Sequence, residues 1–197
     1  GQDQDLEYVG STLLAPFRSR QLDYDNDSQV ETWRLGDIIY SSPTLAGAPA
    51  EDYDMIWRDR TYVDFFIKYR NRRNMIYVGA NDGMIHAFNG GFYDKDTSGY
   101  GFFRQPMDDN GDPDTSYTAY ELGAEMWAYV PRNLLPHLHW LTDTQYQHVY
   151  YNDLEPRLFD AKIFPEDPTH PGGWGTVMVA GMRFGGGRIP ADINKAD

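Results

Sequence analysis

A chain of 197 residues is one ordinary domain by length and can bury about 70% of the surface its unfolded form exposes. Thirty acidic against seventeen basic residues leave a formal charge of −13, which argues against nucleic acid or an anionic membrane as the main partner and favours cations. No cysteine is present, so disulfides and thiol chemistry are excluded.

Aromatic residues make up 15% of the chain, and together with nineteen glycines and twelve prolines they suit short strands, tight turns and exposed aromatic surfaces. No run approaches the roughly 18 apolar residues of a membrane span, and no signal peptide opens the chain.

Residues 1–34 form a polar, weakly periodic N-terminal arm in which Tyr8 to Leu14 reads as a strand. Asp23, Asp25 and Asp27 then place acidic side chains at every second position, the opening spacing of a calcium loop. The match is partial, because Ser28 stands where an EF-hand has glycine and Arg34 where it has the bidentate glutamate; a solvated acidic turn is the alternative. Leu35 to Pro43 follows, with Pro43 suited to a strand end or sheet edge. In 51–74, Tyr62, Phe65, Phe66 and Tyr69 recur at helical spacing, which predicts a short amphipathic helix with these rings packed inward. The cluster Lys68, Arg70, Arg72 and Arg73 reads as its solvated end.

Met75 to Phe88 is the organising stretch, a β-hairpin about Asp82-Gly83. Taking that dipeptide as the whole turn sets Ala80 opposite Ile85 and Val78 opposite Ala87 on an aliphatic face, with Tyr77 opposite Phe88 and Gly79 opposite His86 on the other. Residues 89–122 are too long and too rich in glycine, aspartate and tyrosine for a tight connection and read as an insertion. Within it, Asp94, Asp96 and Ser98 open one cation-loop spacing, and Asp108, Asn110, Asp112 and Asp114 supply alternate oxygen donors in another. The alternative is a solvated loop.

Gly123 to Pro131 returns to strand alternation, and Trp127 on it is expected to wedge between sheets as core. His137 and His139 would reach one metal if their segment were extended, but no third ligand is placed beside them. His148 is read as a structural hydrogen-bonding group. Gly172 to Arg183 is a strand led by Trp174-Gly175-Thr176, and the glycines after it lack the lysine-threonine of a phosphate loop. Asp192, Asn194 and Asp197 begin a further acidic spacing at the end of the chain.

Several of these stretches carry a common resemblance. Gly36-Asp37-Ile38 with Ser41-Ser42-Pro43, Val78 to Phe88, Glu125 to Pro131 followed by Leu134-Leu135-Pro136, the Tyr146-x-His148-x-Tyr150 run, and Trp174-Gly175-Thr176 with its trailing glycines are similar, in this order, to the PilY/PilC family of type IV pilus biogenesis factors and tip adhesins. The family's Asp-Gly turn after the histidine segment is replaced here by Asp153-Leu154-Glu155.

The resemblance implies an all-β fold: a modified, incomplete β-propeller of quinoprotein-like blades over 35–197 with the insertion at about 89–122. A four-stranded blade takes about 40–50 residues, so roughly three fit, fewer than the about 4–8 that close a ring. The open edge then requires the remainder of the propeller, as a continuing or separate chain, or a partner that covers it.

By the same resemblance the chain is a secreted, extracellular factor at the pilus tip or outer-membrane surface. There it promotes pilus assembly and extension, partners minor pilins or the tip complex, adheres to a surface glycan or protein, and responds to calcium. The spacing of acidic oxygens, not the resemblance, offers its ligands: Asp108, Asn110, Asp112 and Asp114, and Asp23, Asp25 and Asp27. Two other classes compete: a glycan-binding module using Tyr93, Tyr100, Phe102, Phe103, Tyr117 and Tyr120, and a quinone-dependent dehydrogenase. The dehydrogenase commonly needs a vicinal disulfide, which a chain without cysteine lacks, so no catalytic or cofactor-binding residue is assigned.

Overall fold

The computed structural model describes residues 20–22, 31–33, 35–94, 101–108, 110–142 and 145–186. The expected strand at 8–14 and the acidic positions 23, 25, 27, 96, 192, 194 and 197 lie outside them.

The described chain is mostly antiparallel β. Strands β3 (Thr44–Ala46), β4 (Asn74–Gly79), β5 (Ile85–Asp94) and β6 (Gly101–Phe103) are hydrogen-bonded in that order, and β7 (Glu125–Tyr129) pairs with β5. Two separate two-stranded ribbons accompany this sheet, β1 (Arg20–Leu22) with β2 (Glu31–Trp33) and β8 (Arg157–Lys162) with β9 (Trp174–Val179). Among the described residues no ring of blades closes.

The β4–β5 hairpin sits where the sequence places it, in a different register. Gly79 pairs with Ile85, Val78 with His86 and Tyr77 with Ala87, and the Ala80 N–H donates to the Met84 carbonyl at 3.0 Å. The turn is therefore the three residues Asn81-Asp82-Gly83, with Gly83 at φ 87° in the position that three-residue hairpin loops give to a left-handed residue. The two-residue turn fails because the Asp82 carboxylate accepts the Met84 N–H (3.0 Å), and the Asn81 N–H donates to the Asp37 carbonyl (3.0 Å) rather than closing the hairpin. Gly83→Val would place a β-branched residue at positive φ with its Cβ against Leu138, so we expect a loss of about 1–3 kcal/mol from strain alone. Thermal unfolding unchanged from the parent would mean that the turn is wrong.

Helices α1 (Tyr53–Ile56) and α2 (Thr61–Tyr69) precede the hairpin. Asp59 begins α2 by accepting the Thr61 N–H at 2.9 Å, a carboxylate placed at a helix N-terminus where it is favoured. Tyr62 and Phe65 are buried and pack with Trp174 of β9, while Phe66, expected inward, is 40% exposed. Tyr53 stacks on Trp174 at 5.2 Å and Tyr62 meets it edge-on at 5.0 Å. Buried Asp160 ties this aromatic core together, accepting the Tyr62 hydroxyl on Oδ2 and the Thr176 hydroxyl on Oδ1, both at 2.6 Å.

The basic cluster after α2 is only partly a solvated end. Arg72 Nε donates to the Gly47 carbonyl (2.6 Å) and Nη1 to Thr176 Oγ1 (2.8 Å), joining the turn after α2 to the β9 ribbon. Arg73 donates to Asn89 Oδ1 (2.9 Å) and the Thr118 carbonyl (2.8 Å) and lies over the Phe92 ring at 4.6 Å. These ties draw both guanidinium groups into the fold: the β8–β9 ribbon meets Arg72, and the insertion at 89–122 returns onto Arg73. Its two ends are pinned by buried Asn89, which donates to the Tyr120 and Glu121 carbonyls (2.9 and 3.0 Å) and accepts the Gly123 N–H on its own carbonyl (2.8 Å).

Candidate functional site

Three stretches distant in sequence meet at the hairpin tip: 35–43, 79–86 and 148–154. Asp82, 2% exposed, accepts the Gly36 N–H on Oδ2 at 2.9 Å and the Met84 N–H on Oδ1 at 3.0 Å. Asn81 donates from Nδ2 to Asp37 Oδ2 (2.9 Å), accepts the Tyr151 N–H on Oδ1 (2.9 Å), and shares Asp37 with His148, whose Nε2 lies 2.9 Å from the same Oδ2. Ser41 accepts the Gly79 N–H on Oγ at 3.0 Å, and the Tyr40 N–H donates to Asp153 Oδ1 at 3.2 Å. A Cβ at Gly79 would run into the Asn152 carbonyl, so glycine is what lets 148–154 press against the hairpin. Asn152 Nδ2 and Asp153 Oδ2 are buried there without a hydrogen-bond partner.

His86 lies at the centre of this knot, 2% exposed between two carboxylates. Its Nε2 is 3.0 Å from Asp82 Oδ2 and its Nδ1 is 2.7 Å from Glu125 Oε1. Burial alone would lower the imidazole pKa, but the hydrogen bonds and charges of Asp82 and Glu125 outweigh it, and the net shift is upward. Both ring nitrogens are engaged by carboxylates inside the fold, which is a structural arrangement. The sign follows: a raised folded-state pKa stabilises the fold fully below the unfolded value, about 6.5, and this contribution fades as pH rises through the folded value. We expect urea midpoints to fall as pH rises above about 6.5, and His86→Gln to flatten that slope. A parent profile as flat as the variant's would contradict the assignment.

Of the expected metal ligands, Asp108, Asn110, Asp112 and Asp114 lie in and beside one turn of the insertion, closed by the bridge between Met107 and Pro113, and Asp23, Asp25 and Asp27 lie outside the described residues. Asp108 Oδ1 accepts the Asn110 and Asp112 N–H groups, both at 2.9 Å, and the Asp108 N–H donates to the Asp112 carbonyl at 2.8 Å. Asp114 Oδ1 accepts the Ser116 hydroxyl at 2.7 Å. These donors hold the Asp108 and Asp114 carboxyls below the usual carboxylate range, for Asp108 chiefly through the Asp112 N–H and for Asp114 through the Ser116 hydroxyl. Both carboxylates are thus turned to their own backbone and neighbours. Among the described residues no three histidine or acidic side chains gather so as to hold a metal ion.

His137 and His139 lie on the 3₁₀ segment Leu135–Thr142, not on an extended strand, and each ring packs on Trp140, at 4.9 and 5.9 Å. His148 has the structural hydrogen bond expected of it, although its segment forms no strand. Trp127 lies on β7 as expected but is 41% exposed, leaning on Tyr77 at 5.5 Å. Of the insertion aromatics, Tyr93, Phe102, Tyr117 and Tyr120 are exposed, between 42% and 54%. The Asp82–His86–Glu125 arrangement was not anticipated; its one signal in sequence is the four-residue spacing of Asp82 and His86 across a turn.

No family model matches the chain, and no solved structure matches it. Curated proteins do. A type IV pilus biogenesis factor PilY1 homolog of Xylella fastidiosa is 32% identical over 192 residues, which cover 92% of this chain and 10% of that protein. A second PilY1 homolog of that organism is 29% identical over 202 residues, covering 94% of this chain and 13% of the relative. PilY1 of Pseudomonas aeruginosa strain UCBPP-PA14 is 29% identical over 171 residues, covering 83% and 12%. The chain spans only 10–13% of the length of these relatives.

Proposed function

Because this chain is homologous over most of its length to the type IV pilus biogenesis factor PilY1 proteins, we propose that it acts in type IV pilus biogenesis, as a segment of a pilus-tip factor that promotes assembly and extension. The match over 92% of the chain carries this reading. The meeting of 35–43, 79–86 and 148–154 at one knot supports it, because the stretches that resemble the family are those that hold the hairpin. No helix among the described residues is long and apolar enough to cross a membrane, which is compatible with a secreted, surface-exposed position beside minor pilins. The antiparallel sheet with its open β3 and β7 edges is, in this reading, part of a modified propeller completed by further polypeptide. Deleting residues 35–186 from the full-length gene is expected to leave cells with few surface pili. Normal piliation with the shortened protein present would refute the proposal.

Adhesion forms the second part of the reading, favoured by the insertion's exposed rings. A groove of about 800 Å³ runs beside them, lined among others by Leu45, Phe92, Tyr93, Phe102 and Met107. Exposed aromatic faces next to a groove suit stacking on a glycan. Tyr93→Ala with Phe102→Ala should abolish binding on a glycan array without changing the melting temperature; retained binding would move adhesion elsewhere.

Calcium control completes the proposal. The ion would require Asp108, Asn110, Asp112 and Asp114 to turn from their present partners toward one centre. Calorimetry on chelator-treated protein should show calcium binding that weakens when Asp108, Asp112 and Asp114 become alanine, and a flat titration of the folded parent would end this part.

A further inference from the structure

A second cavity, of about 380 Å³, lies between the main sheet, α2 and the β8–β9 ribbon. Its volume is near the lower end of small-molecule sites, about 300–1,000 Å³. Phe65, Tyr69, Met75, Tyr77, Trp127 and Met178 make most of its wall apolar, and Arg72 and Arg73 also line it.

The charge balance is unusual for this chain. Acidic residues outnumber basic ones by thirty to seventeen, yet neither arginine has a carboxylate partner. Arg73 is bound to an amide and backbone carbonyls through both terminal nitrogens, and Arg72 to one carbonyl and one hydroxyl. The nearest buried acid, Asp160, spends its two oxygens on Tyr62 and Thr176. Among the described residues, Arg72 Nη2, Arg73 Nε, the Tyr77 and Thr169 hydroxyls and Trp127 Nε1 all belong to lining residues and make no hydrogen bond within the protein. Burial lowers the Arg72 pKa, and the charge of nearby Asp160 opposes that shift only in part.

We propose that this cavity binds a small organic carboxylate with an aromatic or aliphatic body, its carboxylate accepting from Arg72 Nη2 and the Tyr77 hydroxyl while the body lies against Trp127, Met75 and Met178. A carboxylate fits better than a phosphate ester, because Arg73's terminal nitrogens are already occupied, which leaves Arg72 Nη2 as the terminal guanidinium nitrogen without a partner among the described residues. Its charge supplies a direct counter-ion to the half-buried Arg72, which now has Asp160 only by way of Thr176. An apolar body replaces water along the aromatic wall. This site does not depend on the pilus reading.

The test is a titration with 3-phenylpropionate, its neutral amide 3-phenylpropanamide, and phenyl phosphate, following the Trp127 indole N–H by NMR. The carboxylate should shift that signal saturably, and the amide should bind at least about tenfold more weakly. Tyr77→Phe keeps the ring and should weaken the carboxylate by roughly three- to tenfold with no change in melting temperature. Met178→Trp fills the cavity and should abolish the shift; if it unfolds, Tyr77→Phe still decides. Equal binding of acid and amide, tighter binding of phenyl phosphate, an unaffected Tyr77→Phe, or no shift by any probe on the folded parent would each overturn the proposal.

Discussion

Asp82→Ala is expected to lower the melting temperature by roughly 6–20 °C. The carboxylate is 2% exposed and accepts from Gly36 N–H, Met84 N–H and the His86 ring. Removing one partner of a buried ion pair costs about 3–5 kcal/mol; here the Gly36 and Met84 N–H groups would lose their acceptor and His86 would keep only Glu125. Each 1 kcal/mol moves the midpoint by about 2–4 °C in a domain of this size. Asp82→Asn separates charge from shape: it keeps an acceptor for one N–H but not the charge that helps to raise the His86 pKa, so it should fall between parent and alanine variant and show a shallower pH slope. Differential scanning calorimetry of the three proteins checks both statements. An alanine variant that melts with the parent would show that the knot is ornamental to stability.

Tyr62→Ala should be comparably damaging, at about 3–5 kcal/mol, as is usual when a large core aromatic is truncated. The ring packs on Trp174 and Phe65, so its loss opens the junction of α2 with the β8–β9 ribbon. Tyr62→Phe isolates the hydroxyl, which donates to Asp160 Oδ2 at 2.6 Å and accepts the Glu51 N–H at 3.1 Å. Losing it leaves a buried carboxylate oxygen without its donor, a cost of about 1–3 kcal/mol. Urea unfolding should therefore rank parent, phenylalanine and alanine variants in that order. A phenylalanine variant as stable as the parent would show that the Asp160 bond contributes nothing net.

Local chemistry made much of this architecture legible in the sequence. The aromatic spacing of Tyr62, Phe65 and Tyr69 marks α2, the apolar runs about Asp82-Gly83 mark the hairpin, and Trp174-Gly175-Thr176 marks β9. Features set by distant partners were hidden. The hairpin register depends on the Asn81 and Asp82 groups bonding to Asp37, Gly36 and Met84, so a turn chosen for its own dihedral preferences came out one residue short. Arg72 looked like part of a solvated cluster because nothing local reveals that Gly47 and Thr176 will meet it. Strand β8 was missed: Arg157 to Lys162 has a charged residue at both ends and one buried acid, and its pairing with β9 becomes apparent only once the chain has folded back. The hairpin knot was legible in part, since the stretches that resemble the PilY/PilC family supply its components, but their sequence order does not show that they touch.

We propose that this folded segment serves type IV pilus biogenesis through the structure its knot maintains. The most direct measurement is a count of surface pili in Pseudomonas aeruginosa whose PilY1 carries this chain in place of its own matching segment, with and without Asp82→Ala. The parent chain should restore pili above the level of a strain lacking the segment, and the Asp82→Ala chain should not. A chimera that is exported and folded yet no more piliated than the deletion, or one in which Asp82→Ala restores pili as well as the parent, would contradict the account.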